Sequence, residues 1–315
     1  MDETRRHLIK GILTGGTLLA LGIPRITQAA PINQSLFGST HNCQLLMGAT
    51  PIDEAFAKGA QTACALYSSY CQGILPAFQL EDELLTNPVR IVDLLTQSHN
   101  MRWVAIMDDA NAAIFTELVR NAEGRLLALG SHTSISSDNI SLPLRHVWTT
   151  ASPAYSAGGL LASILMQNQH NFSITENFLA SSLGDSAGKE VDLSEFLSYQ
   201  LGDQPPIRLH CAGVPPLEAS QLIGWRASQN WQPVFSQTGS SSTYQDKTAS
   251  ATAIELPPFD NWIEATGYAT VATALGKGIH QELCSRRAFV HRSGQRYPHH
   301  HGLAGKHFVS FVIDV

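Results

Sequence analysis

Residues 102–130 constrain the fold more than any other stretch. Arg102-Trp-Val-Ala-Ile-Met107 is a short, almost wholly apolar run, and Asp108 and Asp109 end it. Ile114, Phe115, Leu118, Val119 and Ala122 then recur at helical spacing, and Arg125 to Gly130 turns apolar again. Strand, amphipathic helix and strand in close succession predict a β-α-β unit, whose crossover makes the two strands parallel. Further strands are expected at 44–49, 74–80, 145–150, 171–178, 207–210 and 307–314. Helices are expected after Asp53, after Asn87-Pro88, over 159–166 and over 217–228. Two capping boxes, Asp192-Leu-Ser-Glu195 and Asn261-Trp-Ile-Glu264, predict two more, the second stopping at Gly276. The expected class is α/β, with a mainly parallel sheet flanked by helices, as one body or two lobes. The lobes would be 30–170 and 171–315, the second carrying a Ser/Thr-rich loop at 236–252 and a basic, His-rich loop at 286–307.

The composition fits a packed core. Hydrophobic residues make up 43% of the 315, which excludes a disordered or collagen-like chain, although the charged share of 15% is low. Cys43, Cys64, Cys71, Cys211 and Cys284 show neither CxxC nor zinc-finger spacing. On one continuous helix Cys64 and Cys71 would stand about 10 Å apart, too far to pair.

The N-terminus has the build of an export signal. A charged start is followed by the uncharged run Gly11 to Ile23 and the small residues Ala29-Ala30. As a helix that run spans about 20 Å, short of the roughly 30 Å of a bilayer core, so no permanent membrane span is expected. Thr4-Arg5-Arg6-His7-Leu8-Ile9-Lys10 resembles the twin-arginine motif, with Leu8 where that motif usually has Phe. The resemblance implies a signal peptide at 1–29, passage through the twin-arginine translocase in folded form, and a periplasmic location. Cleavage after Ala29 removes four basic and two acidic residues, taking the formal net charge from −6 to −8. Such a balance argues against general nucleic-acid binding, which needs cations for phosphate.

In parallel α/β sheets ligands bind beyond the carboxyl ends of the strands. That rule selects Thr50, Asp108, Asp109, Asn111, Ser131, His132, Thr149 and Thr150, all small or polar and suited to hydrogen-bonding a small ligand. Each also has a plain turn or capping role open to it. The segments Trp103-Val-Ala-Ile, Leu126-Leu-Ala-Leu-Gly, His132-Thr-Ser-Ile-Ser-Ser, Val147-Trp-Thr-Thr-Ala-Ser and Ser156-Ala-Gly-Gly-Leu-Leu together resemble the type I periplasmic solute-binding fold. The likeness covers about a fifth of the chain and implies a ligand-binding α/β protein.

Two other chemistries compete. Gly184-Asp-Ser-Ala-Gly188 fits G-x-S-x-G and resembles the nucleophile elbow of hormone-sensitive-lipase-like esterases, which implies Ser186 as nucleophile with Asp260 and His291 as partners. The elbow's buried strand and an upstream oxyanion run are not evident around it. Arg286 to His307 carries Arg286, Arg287, Arg292, Arg296 and Lys306 without an acid. His299, His300, His301 and His307 in that stretch are the candidate metal ligands. No motif names a cofactor. The leading expectation is an exported periplasmic protein that binds a small molecule or anion, or serves a redox or transport system. A serine hydrolase built on Ser186 and a metal-binding protein are the alternatives.

Overall fold

A computed structural model describes residues 42–67, 74–80, 87–98, 100–136, 140–180, 193, 195–202, 206–226, 230–234, 256–277, 284–294 and 304–315. The signal region, Cys71, Ser186, the loop 236–252 and His299, His300 and His301 lie outside them.

Eleven strands form one sheet: β1 (Asn42–Met47), β2 (Ala77–Gln79), β3 (Met101–Met107), β4 (Arg125–Ser134), β5 (Leu144–Thr150), β6 (Phe172–Phe178), β7 (Leu197–Leu201), β8 (Ile207–Ala212), β9 (Gln232–Pro233), β10 (Arg286–His291) and β11 (His307–Asp314). Their spatial order is β2-β1-β3-β11-β4-β5-β6-β10-β8-β7-β9. The α/β class holds, but the sheet is mostly antiparallel rather than mainly parallel. Among the described residues only the β1–β2, β1–β3, β5–β6 and β8–β10 pairs run parallel. The expected parallel neighbours β3 and β4 do share a direction, but they are not adjacent. The C-terminal strand β11 lies between them, antiparallel to both. A β-α-β crossover dictates the sense of its strands; it leaves room for a third strand to enter from elsewhere in the chain.

Register is continuous across the sheet. One transverse row passes from Gln79 through Met47, Ile106, Ser310, Gly130, Trp148, Glu176, Arg287, Arg208 and Gln200 to Gln232. All of these share one face, because side chains alternate along a strand. That face packs under α1 (Asp53–Tyr67), α4 (Gly158–Gln167) and α6 (Trp262–Ala274). The other face is covered at one end by α2 (Pro88–Gln97) and α3 (Asp109–Asn121), and over β8 and β10 by α5 (Pro216–Leu222).

Several elements form for local reasons readable in the chain. Asn87 caps α2 ahead of Pro88. Asn261 accepts from Ile263 N and Glu264 N, so the second cap forms, while Glu264 reaches back one residue further, accepting from Asp260 N. The first opens no helix among the described residues. Around Glu195 the chain turns, and strand β7 replaces the short helix expected from Leu193. The expected basic loop begins instead with strand β10, in which five of six residues are buried. Its arginines are engaged: Arg287 pairs with Glu176 and Arg286 donates to the Asn177 amide oxygen, while Arg292, just beyond, pairs with Glu218. Among the described residues no helix is long and apolar enough to cross a membrane.

At the centre of the covered face, α1 and α6 run side by side in the same direction, with Lys58 against Asp260 and Lys277 over the Tyr67 ring. Every residue of α6 is buried. Two glycines permit the contact. A Cβ on Gly59 would stand 1.8 Å from the Glu264 carbonyl oxygen, and one on Gly267 would stand 2.2 Å from that of Phe56. Gly59→Ala should therefore lower the unfolding free energy in urea by about 3 kcal/mol or more. Gly276→Ala, whose Cβ meets nothing but whose φ is +76, should cost only about 1 kcal/mol.

Candidate functional site

The strand directions place Thr50, Asp108, Asp109 and Asn111 at one edge of the sheet, where β1, β3 and β4 end and β11 and β5 begin. Thr149 and Thr150 end β5 at the opposite edge, so the expected crevice does not gather all eight residues. Alternation divides them further. Ser131 and Thr149 face the open side, whereas His132 and Thr150 point into the core under the helices.

Three of the eight serve local structure. Asp108 caps α3 by accepting from Asn111 N at 2.9 Å and from Asn111 Nδ2 at 3.0 Å. Thr50 is consumed by the turn into α1, where both its N–H and its hydroxyl bond Asp53. Thr150 donates to the Ser152 carbonyl.

Asp109 is not needed for capping and does something else. Its Oδ1 stands 2.5 Å from His307 Nε2, and His307 Nδ1 stands 2.6 Å from Thr133 Oγ1. A carboxylate, an imidazole and a hydroxyl from α3, β11 and β4 thus make one chain of hydrogen bonds. Thr133 and His307 are direct cross-strand partners, which fixes the imidazole over the hydroxyl. The Asp109 and His307 side chains remain 31% and 28% exposed, so the chain opens to solvent.

This relay borders a trough. Between α3 and α5, β4, β5 and β6 carry no helix on their second face among the described residues. At about 4.8 Å per strand the bare floor is roughly 15 Å across. Thr133, Ser131, Arg145, Val147, Thr149, Thr175 and Asn177 line it. Val147 is 41% exposed, and Arg145, the register partner of Thr133, is exposed as well. Of the residues selected from the sequence, Asp109, Ser131 and Thr149 lie on this face, and Arg145 was not among those selected. The alternation Arg145-His-Val-Trp-Thr-Thr150 could have found it, since it separates Arg145, Val147 and Thr149 from His146, Trp148 and Thr150.

Behind the relay, on the covered face of the same strands, lies a second polar chain that sequence reasoning missed. His132 Nε2 is 2.8 Å from Ser310 Oγ, and its Nδ1 is 2.9 Å from His146 Nδ1. Trp148, Trp262 and Phe308 pack around the two rings. Gly130 makes space, because a Cβ there would strike Trp148 and His132. His146 Nε2 is buried without a hydrogen-bond partner. Burial, and then the nearby charge of His170, pushes the His146 imidazole down to about 3. Burial, and then His146 and His307, holds His132 well below the ordinary value.

Of the alternative constellations, Ser186, His299, His300 and His301 lie outside the described residues, which leaves Asp260, His291 and His307. Asp260 is exposed and engaged by Lys58 at 2.5 Å, while His291 is buried and bonds the His170 carbonyl. Both nitrogens of His307 are occupied, and among the described residues no group of three His, Cys, Asp or Glu side chains is placed to hold a metal. His210 stacks on Phe289 and bonds Ser198. Cys43, Cys64, Cys211 and Cys284 are all buried.

The interior pair carries a pH signature. Unfolded, each imidazole takes up a proton near pH 6.5. Folded, both stay neutral far below that, His146 down to about 3. Stability is therefore full above about pH 6.5 and falls as the pH drops below it, by about 1.4 kcal/mol per unit for each residue. Urea titrations between pH 6.5 and 5 should show this slope, and His146→Phe should roughly halve it. Comparison of the chain with protein-family models, with curated proteins and with solved structures finds no match.

Proposed function

We propose that the chain is an exported protein that binds a small anionic ligand on the open trough of its sheet. Export rests on the twin-arginine motif at Thr4 to Lys10 and the apolar run behind it. The binding reading rests on one observation above others. Arg145 projects from the trough floor and makes no ion pair among the described residues. Hydroxyls flank it, from Thr133 on the neighbouring strand and from Ser131, Thr149 and Thr175 further along the floor. Asp109, the carboxylate at the rim, is already engaged by His307. A guanidinium among hydroxyls suits a carboxylate or phosphate, which it can grip through two parallel N–H bonds. The hydroxyls would supply further donors and fix the ligand's orientation.

Calorimetric titration of the mature protein with phosphate, succinate and citrate tests the reading. At least one should bind, and Arg145→Ala should weaken it about 10- to 100-fold, the worth of a charged hydrogen bond. Equal binding by wild type and Arg145→Ala, or no binding of any of the three, would remove the trough as the site. For export, Arg5→Lys/Arg6→Lys should leave the protein uncleaved in the cytoplasmic fraction while the wild type reaches the periplasm.

A further inference from the structure

We propose that Asp109, His307 and Thr133 form a hydroxyl-activating relay, and that the protein hydrolyses carboxylic esters of small anionic acids held on the trough. The choice of an anionic substrate rests on the binding reading above; the activated hydroxyl does not.

The hydrogen bonds define the tautomer. An ionised Asp109 can only accept, so the ring proton of His307 sits on Nε2 and is donated to Oδ1. Nδ1 then offers its lone pair to the Thr133 hydroxyl, 2.6 Å away. That arrangement is a nucleophile in reach of a base that a third group orients. A helix cap does not explain the Asp109 contact, because Asp108 already caps α3. One row of the sheet places the parts side by side: His307, then Thr133, then Arg145. Base, hydroxyl and cation therefore stand on three adjacent strands, with the hydroxyl between the other two.

The reaction follows from these roles. Thr133 Oγ1 attacks the ester carbonyl carbon as its proton passes to His307 Nδ1, and Asp109 stabilises the imidazolium. The tetrahedral intermediate collapses and the bond to the alcohol oxygen breaks. The departing alcohol takes the proton back from His307, leaving an acyl ester on Thr133. Water, deprotonated by the same nitrogen, then releases the acid and restores the hydroxyl. The net change is ester plus water to acid plus alcohol. Arg145 holds the negative group of the acid.

The test uses the mature protein with the mono-p-nitrophenyl ester of succinate, and with p-nitrophenyl acetate as a neutral comparison. Wild type should hydrolyse the succinate ester with saturation, and intact mass with peptide mapping should find the acyl group on Thr133. Thr133→Val and His307→Phe should each lose about 100-fold or more, Thr133→Ser should retain hydrolysis, and Arg145→Ala should slow the succinate ester more than the acetate. Hydrolysis no faster than buffer, an undiminished rate in Thr133→Val, or acylation at Ser186 would overturn the relay. Retained succinate binding alongside any of those results would leave the anion-binding reading standing, so the two can fail separately.

Discussion

The last strand of the chain holds the sheet together. β11 pairs with β3 through six register positions on one side and with β4 through eight on the other. Without it the sheet would part into two, since no other strand bridges β3 and β4. Its side chains also serve both layers. Val309, Phe311 and Ile313 belong to the core under α2 and α3, while Phe308 and Val312 belong to the core under α1 and α6. Asp314 anchors its end by pairing with Arg102 and Arg125. Burial alone would raise the Asp314 carboxyl, but Arg102 and then Arg125 hold it below the usual range. Both polar chains at the site depend on this strand, one through His307 and the other through Ser310.

A second constraint sets the register on the far side of the sheet. Arg287 and Glu176 are wholly buried and face each other across β10 and β6. Glu176 also accepts from Gly158 N at the start of α4, and Arg287 donates to Ser156 at 2.5 Å. Gly158 is needed there, since a Cβ would fall 2.4 Å from the carboxyl carbon. A buried ion pair adds little net stability over apolar residues of the same shape, but a slip that parts it strands two charges in the core. The pair therefore selects one register between β6 and β10.

What could be read from the chain follows from the range of the signal. Hydrophobic period gave the β3, α3 and β4 segments and their common sense, because each depends on neighbours within a few residues. Adjacency did not follow: β11 enters from more than 200 residues beyond β3, as the Arg102–Asp314 pair shows with a separation of 212. Strand β10 was hidden by its own charges. Arg286-Arg-Ala-Phe-Val-His291 reads as solvated until Glu176 is placed opposite Arg287, and no local rule pairs residues 111 apart. At the site, Asp109 and His307 were each singled out for different chemistry, one as a strand-end ligand and one as a metal ligand. Their hydrogen bond became visible only when β11 was threaded between β3 and β4.

The two histidine chains differ in what their surroundings allow. Ser310, His132 and His146 use the same nitrogens that hydroxyl, base and orienting group use in serine hydrolases. Taking the Ser310 proton, however, would create an imidazolium at a fully buried site with no carboxylate bonded to it among the described residues. Burial holds both rings neutral, and Ser310 itself is buried, so that chain works as packing. The Asp109 chain differs in the two respects that matter. It has a carboxylate to balance the charge on His307, and it faces the trough that a ligand can enter. Desolvation thus quiets the inner chain and leaves the outer one able to carry a proton.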